Sequence, residues 1–583
     1  MTRGYFAFVL HCHLPYVLSH GRWPHGTDWL SEATAEAYLP IIRMLNELTA
    51  EGCRPKLTIG LSPVLCEQLA DNSFKNEFVY YLNSKIKAAQ HDSEEFHRFG
   101  DETMLAISHF WEEFFSHTLE QFNAIGQDVV YEFRKLQEAG CLEIITCGAS
   151  HGYYPLLSRD ESLQAQTKMA VKNYRRHFGC DPRGIWLPEC AYRPRYNWTR
   201  PVAAGDRGAY SRKGVDEFLT ENGLDFFIID SALLKGGKSI GVYIDRFEAL
   251  RLLWGRYEKQ YHPREEDQDR TPREVYLVSS SPEGKKPTAV FTRDPETGLL
   301  VWSGEHGYPG DGHYLDFHKK RFPGGHRYWA VTSSKADLAD KIPYSLEGAM
   351  KRIPENGDHF AGKVADILTA YHDQSGGAGV LVAPYDAELF GHWWFEGPHF
   401  LKHVLRKIDE SSEIEATFLS EQLDRARPSR VVSIPEGSWG QGNHHYIWLN
   451  EHTEWTWRHI YEAEDKMCEL ARRWSALAEP RDGELEEILK QMARELMLLS
   501  ASDWQFLIST WAARDYGELR VSEHFGDFQR LAMIAEKMFD GHPPQAGERR
   551  FFDDCRKRDC LFEDIDLAWF AAVEYPAEAL TLK

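Results

Sequence analysis

Two short stretches place carboxylates where they could do chemistry. "WLPECAYRP", residues 186–194, ends an apolar run with Glu189 between Pro188 and Cys190. "LVAPYDAELFGHWWFEGP", residues 381–398, sets Asp386 directly after another apolar run, beside Tyr385, Trp393 and Trp394. A lone acid after a strand more often caps the next helix. Two such acids among Trp and Pro point instead to paired carboxylates acting on a glycosidic bond. One attacks the anomeric carbon, while the other, kept protonated by its surroundings, gives its proton to the leaving oxygen.

"HCHLPY" puts His11 and His13 on one side of an extended segment, because side chains alternate along a strand. With His151 of "ASHGYY" and Asp386 they sketch a four-ligand metal site. The same histidines also read as contacts to sugar hydroxyls, as supports for the carboxylates, or as plain core residues. "GSWGQGNHHYIWLNEHTEWTW" offers Trp439, Trp448, Trp455 and Trp457 in a Gly-rich setting, where backbone approaches a ligand closely and indole faces stack on it. A single Trp is more often core than ligand contact, and Trp439, flanked by glycines, is the strongest candidate. Trp302 lies among turn residues in "VWSGEHGYPGDGHY". "SASDWQFL" sets Asp503 and Trp504 on a helix face, where half-buried packing is the plainer role for the Trp.

The elements that must position these residues are short apolar strands alternating with helices. Tyr5–Leu10, Lys56–Leu61, Leu142–Cys147, Gly184–Leu187, Phe226–Ile229 and Gly379–Ala383 are the strand candidates. Near-continuous apolar strands between helices imply a parallel sheet covered on both faces. The segments just past the strand ends ("HCHLPY", "SPVLCEQL", "GASHGYYP", "PECAYRP", "DSALLKG", "PYDAELFGHWW") then gather at one rim as a single site. Residues 72 to 138 read as a helical insertion, and about 232 to 300 as a second insertion with a charged, exposed centre. From about 452 onward the pattern is helical, with "ELEEILKQMARELMLLSASDWQFLIST" clearly amphipathic.

The 583 residues suffice for more than one domain and a large core. A formal charge of −22 argues against nucleic acid as partner, since phosphate binding needs clustered Lys and Arg. A neutral polysaccharide meets no such repulsion. With 18 Trp and 26 Tyr the chain is rich in rings that stack on sugars. Ten scattered cysteines without a CxxC pair read as buried thiols in a reducing, cytoplasmic compartment. No run approaches membrane-spanning length, and no membrane partner is expected.

Taken together and in order, "HCHLPY", "GASHGYYPLL", "WLPECAYRP", "PYDAELFGHWWFEGP" and "SWGQGNHHYIWLN" resemble glycoside hydrolase family 57, and within it the members that branch α-glucans. The resemblance covers most of the chain. It implies an α/β fold, an incomplete (β/α)7 barrel over 1–71 and 139–400, with a helical inserted subdomain at 72–138. It also implies a mainly helical C-terminal domain, 401–583, contributing to the substrate cleft. It implies a retaining double displacement on an α-glucan, with Glu189 matching the nucleophile, Asp386 the general acid/base, and neither metal nor other cofactor. His11, His13, His151, Trp302, Trp439, Trp448 and Asp503 match positions lining the family's glucan cleft, and Trp394 and Trp504 join them as expected sugar contacts. Tyr243, in "LLKGGKSIGVYIDRF", matches a Tyr at the tip of a lid loop. The stretch from about 250 to 290 is longer than the family's pattern. The rivals are an α-glucan hydrolase (amylase) or 4-α-glucanotransferase, a metal-dependent deacetylase or amidohydrolase, and a non-catalytic glucan-binding protein. A monomer is the expected state.

Overall fold

The computed structural model describes residues 2–204, 208–235, 269–281, 286–304, 307–333, 335–478 and 481–573. Seven parallel strands make the ring, with Ile414–Ala416 pairing in parallel with the start of the first: β1 (Gly4–Cys12), β2 (Leu57–Leu61), β3 (Leu142–Cys147), β4 (Gly184–Trp186), β5 (Phe226–Ile229), β6 (Thr288–Thr292) and β7 (Gly379–Asp386). Their alternating side chains feed two cores, which is what closes them into a barrel. Phe6, Phe8 and Leu10 of β1 face the helices, while Ala7 and Val9 join Cys147, Trp186, Phe226, Phe291 and Val382 in a separate cluster on the axis.

The ring runs β7-β1-β2-β3-β4-β5-β6, and β6 meets β7 only through a bridge from Arg293 to Val382, with Asp294 N donating to Val382 O at 2.8 Å. Below that bridge the seam is filled by Tyr276–Val278, antiparallel to β6, and by Arg273, whose carbonyl accepts from Val380 N at 2.9 Å. This is an incomplete (β/α)7 barrel. β6 corrects the sequence reading, which placed 288–292 inside an insertion ending near 300. "TAVFT" is five residues long and follows a charged stretch, so periodicity had little to register.

The helices that matter for the site are α1 (Leu39–Ala50), α2 (Asn72–Phe99), α3 (Glu102–Ala124), α4 (Asp160–Phe178), α5 (Leu346–Ser375), α6 (Gly397–Asp409), α7 (Glu454–Ser475), α8 (Gly483–Leu499), α9 (Ser502–Thr510) and α10 (Arg514–Phe539). α2 and α3 form an antiparallel hairpin between β2 and β3, each begun by an aspartate cap: Asp71 accepts from Ser73 N and Asp101 from Met104 N. Gly100 between them sits at φ +69°, a left-handed turn that glycine makes without steric cost. The next helix, Val129–Glu138, returns to the barrel shell, where Gln137 accepts from Ile144 N of β3 at 3.1 Å.

The C-terminal helices are fastened to the rim by polar contacts. Buried Glu464 of α7 accepts from Ser158 N (3.0 Å), Ser158 Oγ (2.6 Å) and Arg159 N (3.2 Å), just ahead of α4. Arg520 of α10 donates to Tyr16 O at 2.7 Å, in the loop after β1. Replacing Glu464 with Ala leaves those donors unpaired in the interior, a cost of about 1–3 kcal/mol. Thermal unfolding should show a lowered midpoint for Glu464→Ala; an unchanged midpoint would remove this contact from the domain's attachment.

Candidate active site

Strand parity puts the chemistry on the rim. His11 and Asp386 continue the inward rows of β1 and β7 and are paired in register. Beyond β4 the chain turns so that Glu189 adopts φ 61°, ψ 24°, with Cys190 at φ 47°; His151, past neighbouring β3, sits at φ 63°. These left-handed conformations cost side-chain-bearing residues about 1–3 kcal/mol each and persist only where surrounding structure enforces them. Cys190 N donates to Leu187 O (2.8 Å) and Ala191 N to Pro188 O (3.0 Å), tightening the turn that aims Glu189.

Glu189 Oε2 accepts from Trp439 Nε1 at 3.0 Å, and Oε1 from Ser502 Oγ at 2.8 Å. Trp439 N also donates to Glu189 O at 3.1 Å, so one residue grips the glutamate by backbone and side chain. Ser502, first residue of α9, is held in turn by its own N–H to His151 O at 3.0 Å. Since Ser502 commits its hydroxyl proton to Glu189, the 2.9 Å contact with His151 Nδ1 must run from the imidazole to the hydroxyl. His151 Nε2 is then an acceptor, and the 3.1 Å contact to His11 Nε2 is a donation from His11. Burial holds both imidazoles well below the ordinary histidine range, which keeps this chain neutral. Burial also pushes the Glu189 carboxyl up to about 7, with the Trp439 and Ser502 hydrogen bonds pulling the other way.

His13 is fixed on both ring nitrogens, by Ser62 Oγ at 2.8 Å and by the Asp503 carboxylate at 3.0 Å, and its ring stacks on His151 at 3.7 Å. His13 N donates to Glu388 Oε1 at 3.2 Å, and the Tyr38 hydroxyl donates to the same oxygen. His11 lies flat on Trp186 (4.7 Å, 2°), whose ring meets Trp439 edge-on at 5.3 Å. Two trios, His13–His151–Asp503 and His11–Cys147–His151, bring potential ligand atoms within 4.8 Å of one another. Both ring nitrogens of His13 and of His151 have protein partners, whereas His11 Nδ1, in the second trio, has none among the described residues.

A single cleft of about 840 Å³ takes in Glu189, Asp386, His11, His13, His151, Trp439, Trp448 and Asp503. These eight residues were singled out from sequence, and the fold brings them together. A Cβ at Gly440 would lie 2.8 Å from the Trp448 ring, so only glycine lets that indole reach the cleft wall. Three expected contacts do not line the cleft. Trp394 is buried against Tyr314 and Phe400, and neighbouring Trp393 faces the cleft instead. Trp504 is buried in the C-terminal domain, donating to Leu498 O at 2.8 Å. Trp302 stands behind Trp439, edge to face at 5.8 Å. Tyr243 lies outside the described residues. Sequence reasoning missed Ser502, Glu388 and the cleft-lining Trp23, Trp29, Tyr80 and Phe322. Ser502 carried a usable signal, a hydroxyl beside Asp503 at a helix start. So did Trp23 and Trp29, in the Gly/Pro-rich "GRWPHGTDWL" after β1.

A parallel barrel whose rim sets two acids in one cleft walled by indoles defines a carbohydrate-active enzyme class. The chain belongs to glycosyl hydrolase family 57, whose profile matches residues 7–435, and residues 459–570 match the profile "1,4-alpha-glucan branching enzyme, C-terminal". It is 40% identical over 531 residues to a 1,4-alpha-glucan branching enzyme of Thermococcus kodakarensis, covering 91% of this chain and 73% of that one. The crystal structure of a GH57-type branching enzyme from Pyrococcus horikoshii superposes with a TM-score of 0.86 at 39% identity, over 99% of this chain and 98% of that one. The α-amylase AmyC of Thermotoga maritima superposes with a TM-score of 0.79 at 27% identity, over 98% and 100% of the respective chains.

Removing a donor from Glu189 destabilises its charged form and so raises its pKa. If the ionised glutamate is the working form, the acid limb of kcat/KM falls near pH 7 and moves upward in Ser502→Ala, by up to about one pH unit. A limb that stays put in the folded variant would detach Ser502 from the glutamate's ionisation.

Proposed function

We propose that this protein is a 1,4-α-glucan branching enzyme that uses Glu189 as nucleophile and Asp386 as general acid/base. The observation carrying this reading is that both carboxylates line one aromatic cleft, with Glu189 held at both its carboxylate oxygens by Trp439 and Ser502. In the first step the Glu189 carboxylate attacks C1 of an internal glucosyl unit. The α-1,4 C–O bond breaks as Asp386 protonates O4 of the departing chain. In the second, Asp386, now a carboxylate, takes the proton from a 6-hydroxyl whose oxygen attacks C1, and Glu189 leaves. One α-1,4 bond is exchanged for one α-1,6 bond with no net proton and no water.

The histidines fit supporting roles. His11 and His151, neutral and hydrogen-bonded in series, hold Ser502 as a donor to Glu189, while His13 orients Asp503, whose carboxylate oxygens accept from sugar hydroxyls. Trp439 supplies a stacking face, Trp448 stacks on Tyr153 at 4.4 Å in the cleft wall, and a stacked acceptor chain displaces the water that would otherwise hydrolyse the glycosyl–enzyme. The C-terminal match to branching enzymes favours transfer to O6 over the hydrolysis named for AmyC. The reading extends to glycogen-type synthesis in a reducing, cytoplasmic setting, supported by ten cysteines that are all unpaired. Among the described residues no helix is long and apolar enough to cross a membrane.

Incubation with amylose should yield new α-1,6 linkages in excess of new reducing ends; dominant reducing ends would convert the reading to hydrolysis. Asp386→Asn should lower kcat about a hundredfold to ten-thousandfold. Glu189→Gln should abolish turnover, since a neutral amide cannot form the ester intermediate. Parent-like activity in both folded variants would remove these two carboxylates from the catalysis.

A further inference from the structure

The cleft has two arms, and different parts of the chain wall them. On the Glu189 side stand Trp439, Trp448 and Phe506, the last one turn of α9 beyond Ser502. On the Asp386 side the lining runs through Glu388, His392 and Phe317 to Lys320, Phe322 and α2. Contacts join this second series step by step. Trp393 N donates to Glu388 O at 3.0 Å, His392 meets Phe317 edge-on at 5.2 Å, and Lys320 Nζ stands 5.4 Å from the Phe317 ring.

α2 contributes Tyr80, Ser84 and Ala88 with neighbouring Lys85, a stripe at i, i+4 and i+8 along about 12 Å of helix. Lys320–Arg321 pairs antiparallel with His326–Arg327, and the turn between them lies on this stripe. Lys85 Nζ donates to Gly324 O at 2.9 Å, and a Cβ on Gly324 would stand 2.7 Å from Ala88 Cβ. Arg321 Nε and the Tyr328 hydroxyl donate to Asp92, one turn further along α2, at 2.9 and 2.8 Å. The groove is therefore built before any ligand arrives. Two of its rings nevertheless face solvent: Tyr80 is 57% exposed and Phe322 65%. Arg22 packs over the Tyr80 ring at 4.5 Å and fixes its plane. A single exposed ring is ordinary, but two held out on one cleft wall by packed structure mark a surface that a ligand covers.

The chemistry of this arm suits a neutral polyol. Its rings take C–H faces, while Ser84, Lys85, Lys320, Asp28 and Glu32 offer hydroxyl donors and acceptors. Charges of both signs give a polyanion no net attraction, and an acyl chain would strip them of water without replacing it. Sidedness follows from the reaction. The acid/base carboxylate stands at the glycosidic oxygen, toward the departing chain, while the nucleophile lies against C1. With Asp386 as acid/base, the wall that continues from it faces the chain that leaves and then the chain that arrives.

We propose that the groove formed by α2 and the 317–325 turn holds the acceptor glucan chain, with Tyr80 and Phe322 as its stacking platform. The proposal rests on the branching function inferred above and gives the second chain its site. A chain held there presents a 6-hydroxyl to C1 of the glycosyl–enzyme and keeps water from the same position. Without that hold, water resolves the intermediate. Its oxygen bonds to C1 as Glu189 leaves, Asp386 takes its proton, and a new reducing end results.

On amylose, full-length Tyr80→Ala and Phe322→Ala should each lower the ratio of α-1,6 linkages to new reducing ends about threefold to tenfold, the contribution of one stacked ring. Both products come from one intermediate, so damage to the fold lowers them together and leaves the ratio where it was. Phe322→Tyr keeps a ring and should restore the ratio. Crystals of Glu189→Gln soaked in maltoheptaose should hold glucosyl rings against Tyr80 and Phe322. An unchanged ratio in both folded alanine variants, or maltoheptaose confined to the Trp439 side, overturns the proposal. A parent that yields only reducing ends sinks the branching reading instead; glucosyl rings along Tyr80 in that protein would still assign the groove to the chain beyond Asp386.

Discussion

The carboxylate of Glu189 is buried, and the cost of burying it organises the rest of the site. A charged carboxylate taken from water needs compensating donors, or it takes up a proton instead. Here two donors meet it from parts of the chain 250 and 313 positions away, Trp439 and Ser502. Neither comes from the parallel strands of the barrel. Ser502 belongs to the C-terminal helices, so that domain is an integral part of the site, and a barrel folded without it would leave Oε1 without its hydroxyl donor.

Neutral histidines make this compensation possible. A protonated imidazole beside Glu189 would hold it ionised but would also pair with it and dull its reactivity. His11 and His151 are too buried to charge, so they transmit orientation and carry no net charge. The left-handed backbone at His151 and Glu189 has the same logic: adjacent rim turns give up local comfort so that two side chains reach one hydroxyl. The surrounding hydrogen bonds, Trp439 N to Glu189 O and Ser502 N to His151 O, hold both strained turns in place.

Much of the site was legible because parity is local. His11 was legible because side chains alternate along an extended segment, which puts it on one side with His13, and Asp386 because it directly follows an apolar strand among aromatic residues. The tryptophans show the limit. Trp393 and Trp394 are adjacent, and only one faces the cleft, because the turn between Phe390 and Gly397 decides which indole points inward. Trp504 likewise shares a helix turn with Ser502 and Asp503 yet points the other way, into the C-terminal core. β6 was missed for a different reason. Five residues carry too little periodicity to stand out against the stretch ahead of them, and the strand exists because β5 and Tyr276–Val278 pair with its two edges.

What the amino-acid order determined by itself was the alternation of apolar strands with helices, the type of each rim residue, and the paired acids in aromatic settings. Those depend on spacing over a few residues, which any extended or helical segment preserves. What only tertiary structure decided was which groups meet: the serine beneath Glu189, the tautomers of His11 and His151, the three indoles withdrawn into cores, and the groove along α2. Each of those is a contact between segments distant in the chain. Such contacts are set by how curved layers close on one another, and no local pattern encodes that closure.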